Sequence, residues 1–326
     1  MKAAILGAGA MGSLVGAHLK KGGAEVYFID VNAEHIQAVA KDGLYMEIEG
    51  AKDPEIVRPD GAAVNGGDIG VCDAVVLLVK AVNTAEAVET NKALFGKDTV
   101  ILTLQNGLGN ADALKPYFSE DIIGYGVLKA SALLFAPGKI YGSVRFQGSS
   151  HGVSFAPLNW NTPRKAVFDE VASILTTGGM PAECTRETEA ILWDKLYMNC
   201  LFNAIGALLQ LANEDSAPHE HGKLLMEQIS REICEVAQAK GFNMTQEAYW
   251  NRFKNMPGRT PGGALHYTSA VVDAYKKRPT EIDSLNGAIC GEGRKLGIPT
   301  PYNETIWHLV HIMQDTYDLR YTPRED

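Results

Sequence analysis

Lys195, Asn199 and Asn203 follow one another at intervals of four residues in a segment that the sequence predicts to be helical. This segment, residues 191–205, is apolar on almost every side, which is typical of a buried helix. Four residues advance a helix by roughly 400°, so the three polar side chains drift only about 40° per step and line one face. A buried lysine and two buried amides need polar partners.

One cation and two amides on a single face suit a small anion that also carries a carbonyl or hydroxyl group, such as a 2-oxo acid. A partly desolvated lysine has a lowered pKa and can serve as a general acid near neutral pH. The alternative is that this face is solvated and that Lys195 pairs with a surface carboxylate, because most helix lysines are exposed.

A second group of candidate side chains lies further along the chain. Ser269 and Asp273 are four residues apart on a predicted helix. Thr280 has the features of a helix N-cap, with Asp283 at the third helical position, which would place Glu281 in the first turn. A carboxylate in the first turn favours the helix dipole whatever its function, so this interpretation of Glu281 stays open beside a functional one.

The chain begins with a glycine-rich loop between a predicted strand and a predicted helix. Residues 3–6 are a short apolar run, and residues 13–21 have a helical pattern that ends at two glycines. In this G-x-G-x-x-G pattern the first glycine allows a tight turn, the second lets the backbone approach a pyrophosphate, and the third lets helix and strand pack closely. The helix N-terminus then faces the phosphates. The predicted dinucleotide-binding residues are Gly7, Ala8, Gly9, Ala10, Met11 and Gly12.

Asp30 ends the next predicted strand, residues 25–29. An acidic residue about 20 positions after such a loop accepts hydrogen bonds from the ribose hydroxyls. Its carboxylate would repel a 2′-phosphate, and the following Val31, Asn32 and Ala33 offer no arginine to bind one. The sequence therefore favours NAD over NADP.

Two further polar residues follow predicted buried strands. Residues 73–79 form an apolar run that ends in Lys80, and residues 99–104 form another that is followed by Gln105-Asn106-Gly107. Ligands bind at the carboxyl ends of strands in open α/β sheets, which makes Asn106 a candidate. An asparagine before a glycine is equally typical of a turn.

The predicted architecture is α/β, with an N-terminal Rossmann-type doubly wound sheet and an all-helical C-terminal domain. Residues 122–128 and 139–147 resemble further strands, residues 84–94 and 164–177 resemble helices, and the strand signal nearly disappears after about residue 185. We place a dinucleotide-binding domain at residues 1–184 and a helical substrate and dimerisation domain at residues 185–326.

Composition excludes several classes of protein. The 326 residues are 46% hydrophobic and carry a net charge of −9, whereas nucleic-acid binders are usually basic. No apolar run approaches a membrane span and no signal-peptide pattern is present, so we expect a cytoplasmic protein without a membrane or nucleic-acid partner. The five cysteines and eight histidines match neither a disulfide framework nor a metal-ligand spacing.

These motifs together resemble those of the ketopantoate reductase (2-dehydropantoate 2-reductase) family over essentially the whole chain. The matching stretches are the loop at residues 7–12, Leu78-Val79-Lys80, Gln105-Asn106-Gly107, Trp193-Asp194-Lys195-Leu196 with Asn199 and Asn203, and Thr280-Glu281-Ile282-Asp283 with Asn286-Gly287.

The resemblance implies a nicotinamide-dependent reductase that converts ketopantoate to D-pantoate. In such an enzyme Lys195 would donate a proton to the ketone oxygen, and Glu281 would act beside cofactor and substrate. The resemblance implies substrate-binding roles for Asn199, Asn203 and Ser269. It implies cofactor contacts for Lys80 and Asn106.

Some positions differ from the common pattern of that family. The chain has Asn203-Ala204-Ile205-Gly206-Ala207 where Asn-Pro-Leu-Thr-Ala is frequent, and Asp30 stands where a basic residue usually follows soon after the second strand. The alternative is therefore an NAD-dependent D-2-hydroxy-acid dehydrogenase of mandelate or hydroxyisocaproate type on the same scaffold. A non-catalytic dinucleotide sensor is a third hypothesis, and a homodimer is plausible.

Overall fold

Two compact units make up the chain, Met1–Leu192 and Trp193–Asp326. The computed structural model describes residues 1–144, 151–263 and 265–319. The division falls inside a helix that begins at Thr188, whereas the sequence placed the domain boundary after residue 184.

The first unit alternates strands with helices. Its strands are β1 (Lys2–Leu6), β2 (Glu25–Ile29), β3 (Leu44–Ile48), β4 (Glu55–Val57), β5 (Gly61–Ala63), β6 (Ala74–Leu77), β7 (Val100–Thr103), β8 (Ile123–Leu128), β9 (Ser131–Ala136), β10 (Lys139–Ser143), β11 (Val153–Pro157) and β12 (Ala182–Cys184). Its helices are α1 (Ala10–Lys21), α2 (Ala33–Asp42), α3 (Thr84–Thr90) and α4 (Lys165–Thr177).

Eight of these strands form one sheet in the order β12-β11-β8-β7-β6-β1-β2-β5. β1 pairs in parallel with β2 on one side and with β6 on the other, and parallel pairing continues outward to β5 and to β8. Sheet growth therefore changes direction between β1 and β6, and ligands of open α/β sheets bind beside such a switch point. This topology confirms the predicted doubly wound domain.

Most of the predicted elements of this unit are confirmed with ends that shift by a few residues. The predicted helix over residues 84–94 is too long, because α3 ends at Thr90. The next residue, Asn91, uses its side chain to accept from the N–H of Gly66 and to donate to the carbonyl of Ala87, each at 2.7 Å. The predicted strand over 139–147 ends at Ser143, and residues 145–147 lie outside the described residues.

A second, four-stranded sheet in the order β4-β3-β10-β9 was not predicted from the sequence. β3 pairs in parallel with β10, which comes some 95 residues later along the chain. β9 and β10 are joined by a turn at Pro137-Gly138, and Gly138 has a φ of +71°. This turn packs against α2.

Helices alone occupy the described part of the second unit, as the sequence predicts. They are α5 (Thr188–Leu209, whose first residues belong to the first unit), α6 (Asn213–Ser216), α7 (Glu220–Ala239), α8 (Gln246–Phe253), α9 (Ser269–Tyr275), α10 (Asn286–Leu296) and α11 (Pro301–Asp315). Within the described ranges, these and the other helices are too short or too polar to span a membrane.

Candidate active site

The glycine-rich loop leaves β1 and turns directly into α1. Gly7 has a φ of +97°, and the N–H groups of Gly7 and Ala8 both donate to the carbonyl of Ile29 at 2.9 Å. A Cβ atom at Gly7 would lie 2.4 Å from the nitrogen of Val79, and one at Gly12 would lie 2.1 Å from the carbonyl oxygen of Gly7. The first and third glycines are therefore required by the packing of the protein itself.

Gly9, the second glycine, is not required by the packing of the protein itself. A Cβ atom there would meet nothing closer than Oδ2 of Asp30, at 3.9 Å. Gly9 is the N-cap of α1, no side chain caps this helix end, and no acidic residue lies in its first turn. Ala10 and Met11 follow, both half-buried. An open helix N-terminus with free approach over the backbone fits the pyrophosphate of a dinucleotide.

Asp30 directly follows β2, beside this opening. Its Oδ1 accepts from the N–H of Asn32 at 2.9 Å, which holds the carboxylate in place. Asn32 in turn caps α2 by accepting from the N–H of His35, and the intervening Val31 is 92% exposed. The Asp30 carboxylate can therefore accept hydrogen bonds from ribose hydroxyls, and neither Val31 nor Asn32 beside it carries a positive charge.

The loops after β6 and β7 carry Lys80 and Asn106. The two strands are parallel neighbours, and Leu77 pairs with Thr103 at their carboxyl ends. Lys80 and Asn106 are both half-buried, and the carbonyl of Asn106 accepts from Nδ2 of Asn110 at 3.0 Å. The structure thus brings these two predicted residues to the same edge of the sheet as the glycine-rich loop.

Gln105 joins these two loops, a role that the sequence analysis missed. Its Nε2 donates to the carbonyl of Val79 at 2.8 Å and to Oγ1 of Thr84 at 2.9 Å. Its Oε1 accepts from Oγ1 of Thr103 at 2.9 Å. A buried glutamine directly after a buried strand was the available signal, because such a side chain needs several partners.

A small cavity opens at the carboxyl ends of β7 and β8. Gly107, Asn110 and Tyr125 contribute to its wall. Burial, and secondarily the charge of Glu189, raises the pKa of Tyr125. The phenol therefore remains protonated near neutral pH and keeps a hydrogen to donate into this end of the sheet.

In the second unit, α5 presents the predicted polar face. Lys195 and Asn199 are half-buried and Asn203 is buried, with 6% of its surface exposed. The other sides of the helix carry the core: Trp193 and Tyr197 are fully buried. The face is therefore partly buried at Lys195 and Asn199 and buried at Asn203, as the first interpretation expects.

Asn203 and Glu281 line one small cavity within the second unit. Apolar side chains make up much of the remaining wall, and Ala270 is among them. Ala270 directly follows Ser269, the exposed first residue of α9. Asp273, on the same helix, is buried and its Oδ1 accepts from Nη2 of Arg278 at 2.8 Å.

The predicted N-cap at Thr280 is wrong. Its N–H and its hydroxyl both donate to Oε1 of Gln314, at 2.6 and 2.7 Å. Glu281 precedes a single 3₁₀ turn at Ile282–Ser284, and the α-helix starts only at Asn286. A first-turn position on a helix therefore does not account for Glu281.

A buried polar network that the sequence analysis did not predict fixes the helices around this cavity. Nδ2 of Asn286 donates to the carbonyl of Cys200 on α5 at 3.2 Å and to Oδ1 of Asn303 at 2.9 Å. Glu232 on α7 accepts from the N–H of Asn303 at 2.9 Å and from its Nδ2 at 2.7 Å. The Asn286-Gly287 motif in the sequence singled out Asn286 but did not indicate its hydrogen-bond partners.

Comparisons with known proteins identify the family to which this chain belongs. A profile described as ketopantoate reductase PanE/ApbA matches residues 3–156, and one described as its C terminal matches residues 187–314. A PanE/ApbA family ketopantoate reductase from Ralstonia eutropha JMP134 has 30% sequence identity and a TM-score of 0.81, with 98% of this chain and 100% of that chain covered. The chain belongs to the ketopantoate reductase family.

Two further relatives illustrate the range of this family's neighbours. The 2-dehydropantoate 2-reductase of Streptococcus pyogenes is 29% identical over 319 residues, which cover 97% of this chain and 99% of the relative. A D-mandelate dehydrogenase solved with NADH and anilino(oxo)acetate has 27% identity and a TM-score of 0.83, with 98% and 100% of the two chains covered.

Membership makes the chain a nicotinamide-dependent oxidoreductase that acts on a CH–OH group. The predicted family, fold class and type of enzyme are therefore confirmed. Across residues 1–144, 151–263 and 265–319, no cluster of His, Cys, Asp or Glu is arranged to hold a metal ion.

Proposed function

We propose that this chain reduces a 2-oxo acid to a 2-hydroxy acid with NADH. The observation that carries the proposal is the polar face of α5, on which Lys195 precedes Asn199 and the buried Asn203, together with the cavity that Asn203 shares with Glu281. One cation, two amides and one carboxylate are groups that can recognise and protonate a small oxo acid.

Cofactor binding belongs to the first unit in this proposal. The N-terminus of α1 holds the pyrophosphate over Gly9, and Asp30 accepts from the ribose hydroxyls. Lys80 and Asn106 contact the cofactor at the carboxyl edge of the sheet. When bound, the nicotinamide supplies the hydride that is added to C2 of the substrate.

Lys195 supplies the proton in the same reaction. Its ammonium group donates to the ketone oxygen, so that hydride on carbon and proton on oxygen together give the alcohol. Asn199, Asn203 and Ser269 bind the carboxylate and hydroxyl groups of the substrate and fix its orientation. Glu281 accepts hydrogen bonds beside the substrate, at the wall of the cavity that it shares with Asn203.

NADH is the proposed cofactor because of Asp30. Its carboxylate lies close to the open space over Gly9 and is held there by the N–H of Asn32. A 2′-phosphate would bring two further negative charges toward a fixed carboxylate, which costs binding free energy.

Ketopantoate is the first candidate substrate, because the curated relatives are 2-dehydropantoate 2-reductases. A second candidate is a 2-oxo acid with a larger apolar side chain, such as phenylglyoxylate or 2-oxoisocaproate. The structural similarity to a D-mandelate dehydrogenase solved with NADH and anilino(oxo)acetate supports this second class.

A single kinetic panel tests the proposal. Purified protein is assayed with NADH and with NADPH against ketopantoate, 2-oxoisocaproate and phenylglyoxylate. We expect turnover of at least one oxo acid, and a kcat/KM at least about tenfold higher with NADH, equivalent to about 1.4 kcal/mol. A preference for NADPH would overturn the argument from Asp30. Cofactor binding without turnover of any of the three oxo acids would contradict the proposed substrates.

A further inference from the structure

Beneath the glycine-rich loop, three buried groups form a hydrogen-bonded chain to a distant turn. Oγ of Ser13 donates to the carbonyl of Ala8 at 2.8 Å and lies 3.1 Å from Nε2 of His35. Nδ1 of His35 accepts from the N–H of Gly138 at 3.0 Å. Ala8, Ser13 and His35 have no exposed surface.

The direction of each hydrogen bond follows from the chemistry of the groups. The N–H of Gly138 can only donate, so Nδ1 of His35 carries the lone pair. The proton of the neutral ring is then on Nε2, which donates to Oγ of Ser13, and the hydroxyl of Ser13 donates onward to Ala8. Burial lowers the pKa of His35, against the opposing effects of Asp30 and the Ala8 backbone, which is consistent with the neutral ring that this pattern requires.

The last of these hydrogen bonds, from Ser13 to the carbonyl of Ala8, sets the orientation of one peptide group in the loop. A trans peptide is planar, and its C=O and N–H point in opposite directions. Because the carbonyl of Ala8 is held inward by Ser13, the N–H of Gly9 points away from the protein interior. The space beside the Gly9 backbone is open as well, since a Cβ built there would have its nearest neighbour, Oδ2 of Asp30, at 3.9 Å.

We propose that His35 and Ser13 are positioning residues for the dinucleotide. Together they fix the Ala8–Gly9 peptide so that its N–H is already aimed at a phosphate, which spares the loop an ordering cost when the cofactor binds. The N–H of Gly138 holds the ring of His35 in place, and the turn that contains Gly138 joins two strands of the second, four-stranded sheet. This inference rests on the proposed cofactor site but not on the identity of the oxo acid.

The experiment is a double-mutant cycle read out as the Kd for NADH, measured by titration calorimetry without substrate. We expect Ser13→Ala and His35→Leu each to raise the Kd by about three- to tenfold, the range of a lost hydrogen bond. The double variant should bind no more weakly than the weaker single variant, because the two residues act as one unit.

His18 provides a matched control in the same unit. It is also a buried histidine, and its Nδ1 contacts the carbonyl of Gly178 at 2.8 Å, at the opposite end of α1 from the loop. We expect His18→Leu to lower the melting temperature as His35→Leu does while leaving the NADH Kd within about twofold of the wild type.

The outcomes separate this inference from the proposed function. A wild-type protein that binds neither NADH nor NADPH contradicts the proposed cofactor site itself. If the wild type binds NADH, the inference is overturned by unchanged binding in Ser13→Ala, by additive effects in the double variant, or by an equal loss in His18→Leu. If His35→Leu fails to fold, the NADH Kd of Ser13→Ala compared with that of His18→Leu still tests the inference.

Discussion

Gly9→Ala should weaken cofactor binding strongly and leave the fold intact. The backbone at Gly9 has φ −67° and ψ −155°, which an alanine adopts without left-handed strain. A methyl group there points into open space, with Oδ2 of Asp30 as its nearest neighbour at 3.9 Å. The substitution therefore adds atoms in the space proposed for the cofactor and not in the packed interior of the protein.

The effects of Gly9→Ala on stability and on cofactor binding can be estimated separately. Replacing a glycine at a compatible backbone position stabilises a protein by about 0.4–1 kcal/mol, because the unfolded chain loses freedom. Gly9 is also the N-cap of α1, where alanine is a poorer residue than glycine, and this cost opposes the gain. A methyl group that keeps a phosphate away from one backbone N–H removes a hydrogen bond to a charged group, worth roughly 1.5–3 kcal/mol. We expect a Kd for NADH that is about 10- to 150-fold higher and a melting temperature close to that of the wild type.

Gly12→Ala is the matched comparison in the same loop. Its Cβ would lie 2.1 Å from the carbonyl oxygen of Gly7, so the backbone of the loop has to move. Overpacking of this kind costs about 1–3 kcal/mol, only partly offset by the better helix propensity of alanine. This variant should lose stability first, and its loss of NADH binding should follow from the displaced loop.

Calorimetric titration with NADH and thermal unfolding distinguish the two variants. If Gly9→Ala binds NADH as tightly as the wild type, the pyrophosphate does not approach this backbone and the proposed cofactor position is wrong. If Gly9→Ala unfolds at a clearly lower temperature, the space over Gly9 is used by the protein itself and the argument from packing fails.

Three further substitutions test other parts of the molecule. Lys195→Met keeps the length of the side chain but removes the proton that it would donate. We expect kcat to fall by about 10²- to 10⁴-fold, the usual contribution of a general acid, while the affinity for NADH measured by calorimetry stays unchanged. Turnover near the wild-type rate would refute the assigned role. Asp30→Ser should raise kcat/KM with NADPH and lower it with NADH, and steady-state kinetics that show no change in this ratio would refute the repulsion argument. The carboxylate of Asp60 accepts hydrogen bonds from Nζ of Lys20 at 2.6 Å and from the N–H of Val26 at 2.8 Å. Burial alone would raise the pKa of Asp60, but these two contacts lower it below the usual value for an aspartate. A lowered pKa stabilises the fold above the ordinary aspartate pKa and loses this effect as pH falls through the folded value. In urea unfolding, the stability gap between wild type and Asp60→Asn should therefore be present at pH 7 and shrink below about pH 4, and a gap independent of pH would contradict this assignment.

The sequence was most informative where function and local structure use the same few residues. The glycine-rich loop is readable because strand, turn and helix follow each other within residues 2–21. The polar face of α5 is readable because a single helical period generates it. In both cases the pattern depends on neighbours along the chain, which a single sequence contains in full.

What the sequence did not show depends on partners that are distant in the chain. His35 meets Gly138 across 103 residues, and Gln105 reaches Val79 across 26. Thr280 has the local features of an N-cap, yet Gln314 of α11 takes both of its donors. The small sheet was missed for the same reason, since β3 and β10 pair from far apart. The predicted homodimer and cytoplasmic location stay predictions.

Selection of cofactor and of substrate can be separated in this molecule. The groups proposed to favour NADH, Asp30 and the open backbone at Gly9, make their described contacts within the first unit. The apolar wall beside Asn203 is built within the second. Residues without shared partners usually have additive effects on free energy. A change at Asp30 should therefore shift the ratio of kcat/KM with NADH to that with NADPH by the same factor for every oxo acid. A change at Asn203 should alter the relative kcat/KM of the oxo acids equally with either cofactor.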